Sequence, residues 1–305
     1  MTYLFTSIFL SSIIPVIFRF TEGKNLNRYA VTLFNYLAAC VIAFFMSQRE
    51  NLFKNLNGGS IASFTTEFRK VVILREDIFT AEASTIWAVI VGLSLGILFC
   101  LSFVQYQKSI KVNGISLSNT FLKLGVLIPM TISLVLWEEY PTNFQWVGII
   151  LSLLAILIAN INFKKDSIKD IRLNLLLLIL YGGLAQFATK LFQKYALIEY
   201  KNLLLFFIFL SALLTSLIII IKNKNRFGIN EFVSGTLVGI PNLFTSYFMV
   251  LAFTKMNTST AVLLNSSGTI VLVLLYGLFI FKEKLLHREK IAIALTILAM
   301  ITINY

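Results

Sequence analysis

The sequence predicts an all-α polytopic membrane protein with about ten transmembrane helices in two inverted five-helix repeats. Three observations lead there. The 305 residues are 58% hydrophobic and only 13% charged, with a mean hydropathy of +0.85. Soluble domains keep about a quarter of their residues charged, so this chain has too little polar surface to face water all round and its solvent is lipid. Second, apolar runs recur near the bilayer-crossing length of about 20 residues. Third, segments of the two halves resemble one another in the same order.

The apolar runs place helices at roughly 2–18, 30–46, 86–105, 114–137, 144–162, 173–196, 203–221, 232–253, 260–281 and 290–304. Strands of a membrane barrel would read as alternating segments of about ten residues, and none occur. The first run, MTYLFTSIFLSSIIPVIF, has no basic leader and no small-residue cleavage site, so it reads as a retained span. Pro15, Pro129 and Pro241 fall inside runs, which spans tolerate because neighbouring groups satisfy the freed carbonyls. Residues 47–85 form a long mixed connector whose apolar piece, FRKVVIL, is too short to span. It reads as a surface loop with one interfacial turn, with a lid over a pore mouth as the other reading.

The halves divide at 1–163, which includes the 47–85 loop, and 164–305. SSIIPVIFR (11–19) aligns with GGLAQFATK (182–190), each ending in a basic residue. VGLSLGILFCLSFVQYQK (91–108) aligns with VGIPNLFTSYFMVLAFTK (238–255), with the VG pair and the lysine in register. EEYPTNFQWVG (138–148) aligns with KEKLLHREKIA (282–292) after a small gap. An odd number of spans per repeat forces the halves into opposite orientations, the plan of secondary transporters with a site near the midplane.

With these residues the chain resembles the ten-helix EamA-like members of the drug/metabolite transporter superfamily. That family ends its fourth and ninth helices with a Gly-Glu-Arg-Leu-Ser-x-x-Gln-x-x-Gly signature. Glu139, Thr142, Gln145 and Gly148 keep it in the first half, with Tyr140 in the basic position. The second half keeps Glu283, Lys284 and Leu285 but carries Glu289 for Gln and Ala292 for Gly. The resemblance covers nearly all of the chain outside the long loop. It implies a carrier fold but no particular substrate, since the family moves amino acids, nucleotide sugars, drugs and vitamins. Read from the residues alone, a glutamate at a helix end with a glycine nine residues on suits a tight re-entry and a close helix contact.

Net charge is +12. The basic residues sit mostly in short connectors, the pattern of loops at an anionic membrane face, and no basic stripe interleaves with aromatics, so nucleic acid is not an expected partner. Odd-numbered connectors hold about 16 Lys and Arg and even-numbered ones about 8. The positive-inside rule then puts Lys164, Lys165 and Lys169 in the cytoplasm and both termini outside, whereas the family resemblance implies cytoplasmic termini. Cys40 and Cys100 lie inside apolar runs without a metal or redox motif. His287 is the only histidine, which argues against a His-based triad or metal cluster. There is no Walker A pattern, and no cofactor is expected.

All 14 acidic residues fall in connectors or at helix ends. Lys123, by contrast, sits mid-run, about 13 Å in from its helix start, too far for easy snorkelling. A cation at that depth costs roughly 2.5–3.5 kcal/mol on insertion scales. Ser116, Asn119 and Lys123 are spaced to share one helix face, as are Gln186, Thr189, Lys190 and Gln193. Asn265 with Thr269, Asn242 with Thr245 and Ser246, and Ser102 with Gln105 and Tyr106 add polar faces on three more helices. The candidate substrate-binding residues are therefore Lys123, Asn119, Ser116, Lys190, Gln186, Asn265, Thr269 and Asn242. For the hydroxyls and amides, bonds to their own helix or across helices are the competing reading. Glu139 and Glu283 read either as interfacial anchors or as functional groups.

The expectation is a secondary carrier, not an enzyme, in the bacterial inner membrane. It would move a small polar organic solute, an amino acid or related anionic or zwitterionic metabolite, by alternating access. The alternatives are an exporter of cationic drugs, which the lack of embedded acids disfavours, and a lipid-carrier flippase. Its expected partners are the substrate and the bilayer, with oligomeric state left open.

Overall fold

The computed structural model describes residues 1–22, 26–56, 61–113, 121–160, 173–223, 228–280, 282 and 286–303. No strand occurs among them. The long helices are α1 (Thr2–Glu22), α2 (Arg28–Arg49), α3 (Ala81–Asn113), α4 (Leu127–Trp137), α5 (Asn143–Asn160), α6 (Leu173–Tyr195), α7 (Lys201–Asn223), α8 (Ile229–Ala252), α9 (Thr258–Phe279) and α10 (His287–Ile303). Six helices, at Arg28–Arg49, Ala81–Tyr106, Leu173–Tyr195, Ile198–Lys222, Ile229–Ala252 and Thr258–Phe279, are long and apolar enough to cross a membrane. Shorter apolar helices cover Thr2–Ile17, Phe121–Trp137 and Asn143–Ile158. The outer surface agrees with a lipid solvent: Phe5, Phe9, Phe45, Val135 and Leu173 are each more than half exposed, a large apolar exterior that water would not tolerate. The chain is a polytopic helical membrane protein.

Side-chain pairings fix the direction of each helix. Ser7 meets Asn265 and Ser12 meets Tyr276, so α1 and α9 run parallel. Gln105 meets Asn174 while Ser84 meets Leu197, so α3 and α6 run antiparallel. Tyr36 packs on Phe209 and Phe44 on Phe206, so α2 and α7 are antiparallel. In each of these pairs, helices of like number parity are parallel and those of unlike parity antiparallel, as expected when every helix crosses once. The most extensive packing joins α2 with α8, α3 with α7, α5 with α10 and α2 with α7, followed by α1 with α8 and α3 with α6.

Glycines make two of these contacts close. A Cβ at Gly235 or Gly239 on α8 would fall 2.6 Å from the Val31 carbonyl or 2.4 Å from the Asn35 carbonyl of α2. At Gly92 or Gly96 on α3 it would meet Phe207 at 2.5 Å or the Ile208 carbonyl of α7 at 2.6 Å. Both pairs are small-xxx-small patterns that let backbones touch, with dispersion in place of the missing hydrophobic drive.

Three features differ from the sequence expectation. The fourth span is broken: Phe121–Leu124 is helical, Gly125 and Val126 form a turn, and α4 starts at Leu127. The break lies where Gly125 abuts Gly183 of α6, so close that a Cβ at Gly183 would be 2.4 Å from the Gly125 carbonyl. Residues 47–85 are more structured than a plain loop. They contain a short helix at Ile61–Phe68 running into a wide turn at Arg69–Ile73, and Phe64, Val71 and Phe79 pack on Trp87 and the α6–α7 region. Lys70 pairs with Asp77 at 2.7 Å on its exposed side. Third, α3 extends to Asn113, well past the expected end.

Candidate functional site

The end of α4 builds the site. Glu138 adopts a left-handed conformation (φ 53°) and stops the helix as its N–H bonds the Ser133 carbonyl. The chain turns back, and the Glu139 carboxylate reaches across to two other helices. It lies 2.8 Å from Lys190 Nζ and 3.8 Å from Lys194 Nζ on α6. It also accepts from Thr258 Oγ1 at 2.8 Å and from the Thr258 backbone N–H at 3.3 Å. Thr258 is the first residue of α9, and Asn257 before it gives no side-chain cap, so a carboxylate from the α4–α5 turn satisfies that helix start in its place.

Lys190 is the most enclosed of the charged members: its side chain is 4% exposed. Its ammonium also donates to Gln193 Oε1 at 3.1 Å and stands 5.5 Å from the Trp137 ring and 5.7 Å from the Phe253 ring. Trp137 Nε1 donates to the Tyr195 hydroxyl at 2.8 Å, and Phe187 stacks with the Trp137 ring. Aromatic faces thus orient the cation. For Glu139, burial acts to raise the carboxyl pKa, but the hydrogen bond and charge of Lys190, with the Thr258 bonds, hold it below its ordinary value.

A pocket of about 320 Å³ opens beside this cluster, lined by Glu139, Lys190, Gln193, Lys194 and the α8–α9 connector from Phe253 to Asn257. It holds three ammonium groups, on Lys190, Lys194 and Lys255, against one carboxylate. Its size is at the lower end of small-molecule sites.

Of the residues singled out in the sequence, Lys190 lines this pocket. Lys123 does not; it is half-buried just before the break ahead of α4, and no described residue pairs with its ammonium. Ser116 and Asn119 lie outside the described residues. Gln186 is half-buried one turn from Lys190, its carbonyl accepting from Thr189. Asn265 Oδ1 accepts from Ser7 at 3.1 Å, Thr269 bonds the Ser11 hydroxyl, and both link α9 to α1. Asn242 donates to Asn35 at 3.1 Å, linking α8 to α2. The structure therefore uses Asn265, Thr269 and Asn242 between helices and, of the six described candidates, places Lys190 in the charged pocket.

Sequence reasoning did not find Lys194, Lys255, Thr258, Ser7 or Ser11. Lys255 was in register with Lys108, the one available signal. The residues after Glu139 that carry the resemblance have a local physical role. Thr142 and Gln145 form a capping box at the start of α5, with Gln145 Oε1 accepting from the Thr142 N–H at 3.1 Å and Thr142 Oγ1 accepting in return at 3.3 Å. Glu289 does half of this job at α10, accepting from the Leu286 N–H at 2.8 Å, so glutamate for glutamine at that position keeps the cap.

No family model matches this chain, and no curated protein matches it. Chains of solved structures do match, 28 of them. One, described only as "Crystal structure of protein", has a TM-score of 0.67 at 13% identity, covering 99% of this chain and 94% of its own. At that identity the likeness concerns fold alone.

Proposed function

We propose that this protein is a secondary carrier of the ten-helix drug/metabolite transporter type, moving a small anionic or zwitterionic organic solute such as an amino acid. The observation that carries the reading is the pocket's charge. Three lysines around one carboxylate give a surplus of positive charge for a substrate carboxylate, while Glu139 offers a partner to a substrate ammonium. A lipophilic cation, with no carboxylate of its own, would meet only that surplus of like charge.

Helix packing supports two inverted halves. Replacing each helix by the one five positions on turns α2·α8 into α3·α7, α1·α8 into α3·α6 and α1·α9 into α4·α6, all of them real contacts. It maps α2·α7 and α5·α10 onto themselves. Such a plan lets one half rock against the other. The pocket lies where α4, α6 and α8 end and α9 begins, so it is a mouth rather than a midplane chamber.

The test is a thermal-stability screen of detergent-purified protein against amino acids, organic acids, sugar phosphates, nucleotide sugars and quaternary amines. A ligand that binds only the folded state raises stability by RT ln(1 + [L]/Kd). Stabilisation by carboxylate-bearing ligands is expected. Stabilisation by quaternary amines alone would replace this reading with that of a cation exporter.

A further inference from the structure

The Glu139 carboxylate has the surroundings that a free carboxylate ligand would be given. Two ammonium groups, a hydroxyl and a backbone N–H at the start of a 22-residue helix converge on it. All four donors belong to α6 and α9, whereas Glu139 is brought in by the separate turn between α4 and α5. The carboxylate is therefore held from outside its own element, at the inner wall of a pocket large enough for a small molecule. Lys190, almost wholly buried, would be left as an uncompensated charge if the site emptied. A site built this way changes occupant rather than standing vacant.

We propose that Glu139 is a tethered occupant of a carboxylate-binding site formed by Lys190, Lys194 and Thr258, and that a free carboxylate entering from the pocket takes its place. The incoming group would inherit the Lys190 and Lys194 contacts and the two Thr258 donors. The displaced Glu139 side chain would swing to the pocket side, where Lys255 and an ammonium on the ligand itself can receive it. The exchange breaks the only described link from the α4–α5 turn to both α6 and α9, so binding at this mouth would also release the helices that Glu139 ties together. Calling the incoming carboxylate the transported substrate rests on the carrier reading above; the site itself rests on the geometry.

The experiment uses acetate as the probe, on the full chain in detergent, with sodium chloride holding ionic strength constant. Glu139→Ala is expected to lower the unfolding midpoint, and acetate is expected to restore most of that loss in a saturable manner. Glu139→Gln keeps an acceptor for Thr258 but leaves both lysines without a counter-charge, and serves if Glu139→Ala does not yield folded protein; acetate should raise its midpoint more than that of wild type. Adding Lys190→Met to either variant should abolish the response. Variants that respond to acetate no more than wild type does would overturn the proposal. Rescue by acetate in a protein that transports no carboxylate would leave the site standing and remove the carrier reading; transport without rescue would do the reverse.

Discussion

Glu139 and Lys190 are 51 positions apart, and neither explains itself alone. Lys190 was visible in the sequence as part of a polar helix face with Gln186 and Gln193, and Glu139 as part of a signature. Their pairing was not visible, because it depends on a left-handed turn at Glu138 and on how α4 lies against α6. The pair makes testable demands. Glu139→Ala should cost about 3 kcal/mol in chemical denaturation, since it leaves a buried ammonium unpaired. Lys190→Met should cost a similar amount, whereas Lys123→Met, which strands no described partner, should change stability by less than about 1 kcal/mol. The pH dependence has a defined sign. The native Glu139 carboxyl is held below its ordinary value, so the unfolded chain takes up the proton first as pH falls. The stability gap between wild type and Glu139→Gln should be constant from neutrality down to the ordinary carboxylate range. It should close below that, as the native carboxyl protonates. Denaturation midpoints across a pH series check this.

At the scale of elements, the apolar runs located nearly every helix to within a few residues, because a bilayer demands a long unbroken stretch and few other constraints compete. The start of α5 is set by local chemistry that the Thr-x-x-Gln spacing carries. Local pattern did not reveal the break before α4, since Gly125 and Val126 fit a continuous apolar run and the close approach of Gly125 to Gly183 of α6 is a tertiary contact. Hydroxyls were equally mute: Ser7 and Ser11 look like the many serines that bond their own helix, yet they meet Asn265 and Thr269. The glycine seams are the most sensitive joints. Gly239→Ala would put a methyl 2.4 Å from the Asn35 carbonyl, backbone that cannot step aside as a side chain would. It should cost about 1–3 kcal/mol, and a thermal melt in detergent measures it. A substitution at Gly228, whose Cβ would meet nothing closer than the Glu231 carboxylate at 3.5 Å, should be milder.

For the whole molecule, composition alone dictated the lipid solvent, and the odd number of spans per matched half dictated opposed orientations if the halves are repeats. The most extensive helix contacts map onto one another under a five-helix shift, whereas α5·α9 and α9·α10 have no comparable image among the described residues. The site was less legible than the fold, because substrate recognition by a carrier draws single residues from several helices and their convergence is a tertiary property. The central claim is that the lysine-rich pocket admits a carboxylate-bearing solute for transport, and its most direct test is counterflow in proteoliposomes. Vesicles loaded with a carboxylate-bearing ligand from the stability screen should accumulate the labelled solute transiently with wild-type protein. Lys190→Met protein, reconstituted to the same level and shown to be folded, should give at least a tenfold lower initial rate, equivalent to the loss of about 1.4 kcal/mol of interaction. Counterflow of that solute at an unchanged rate and half-saturation in Lys190→Met would contradict the account.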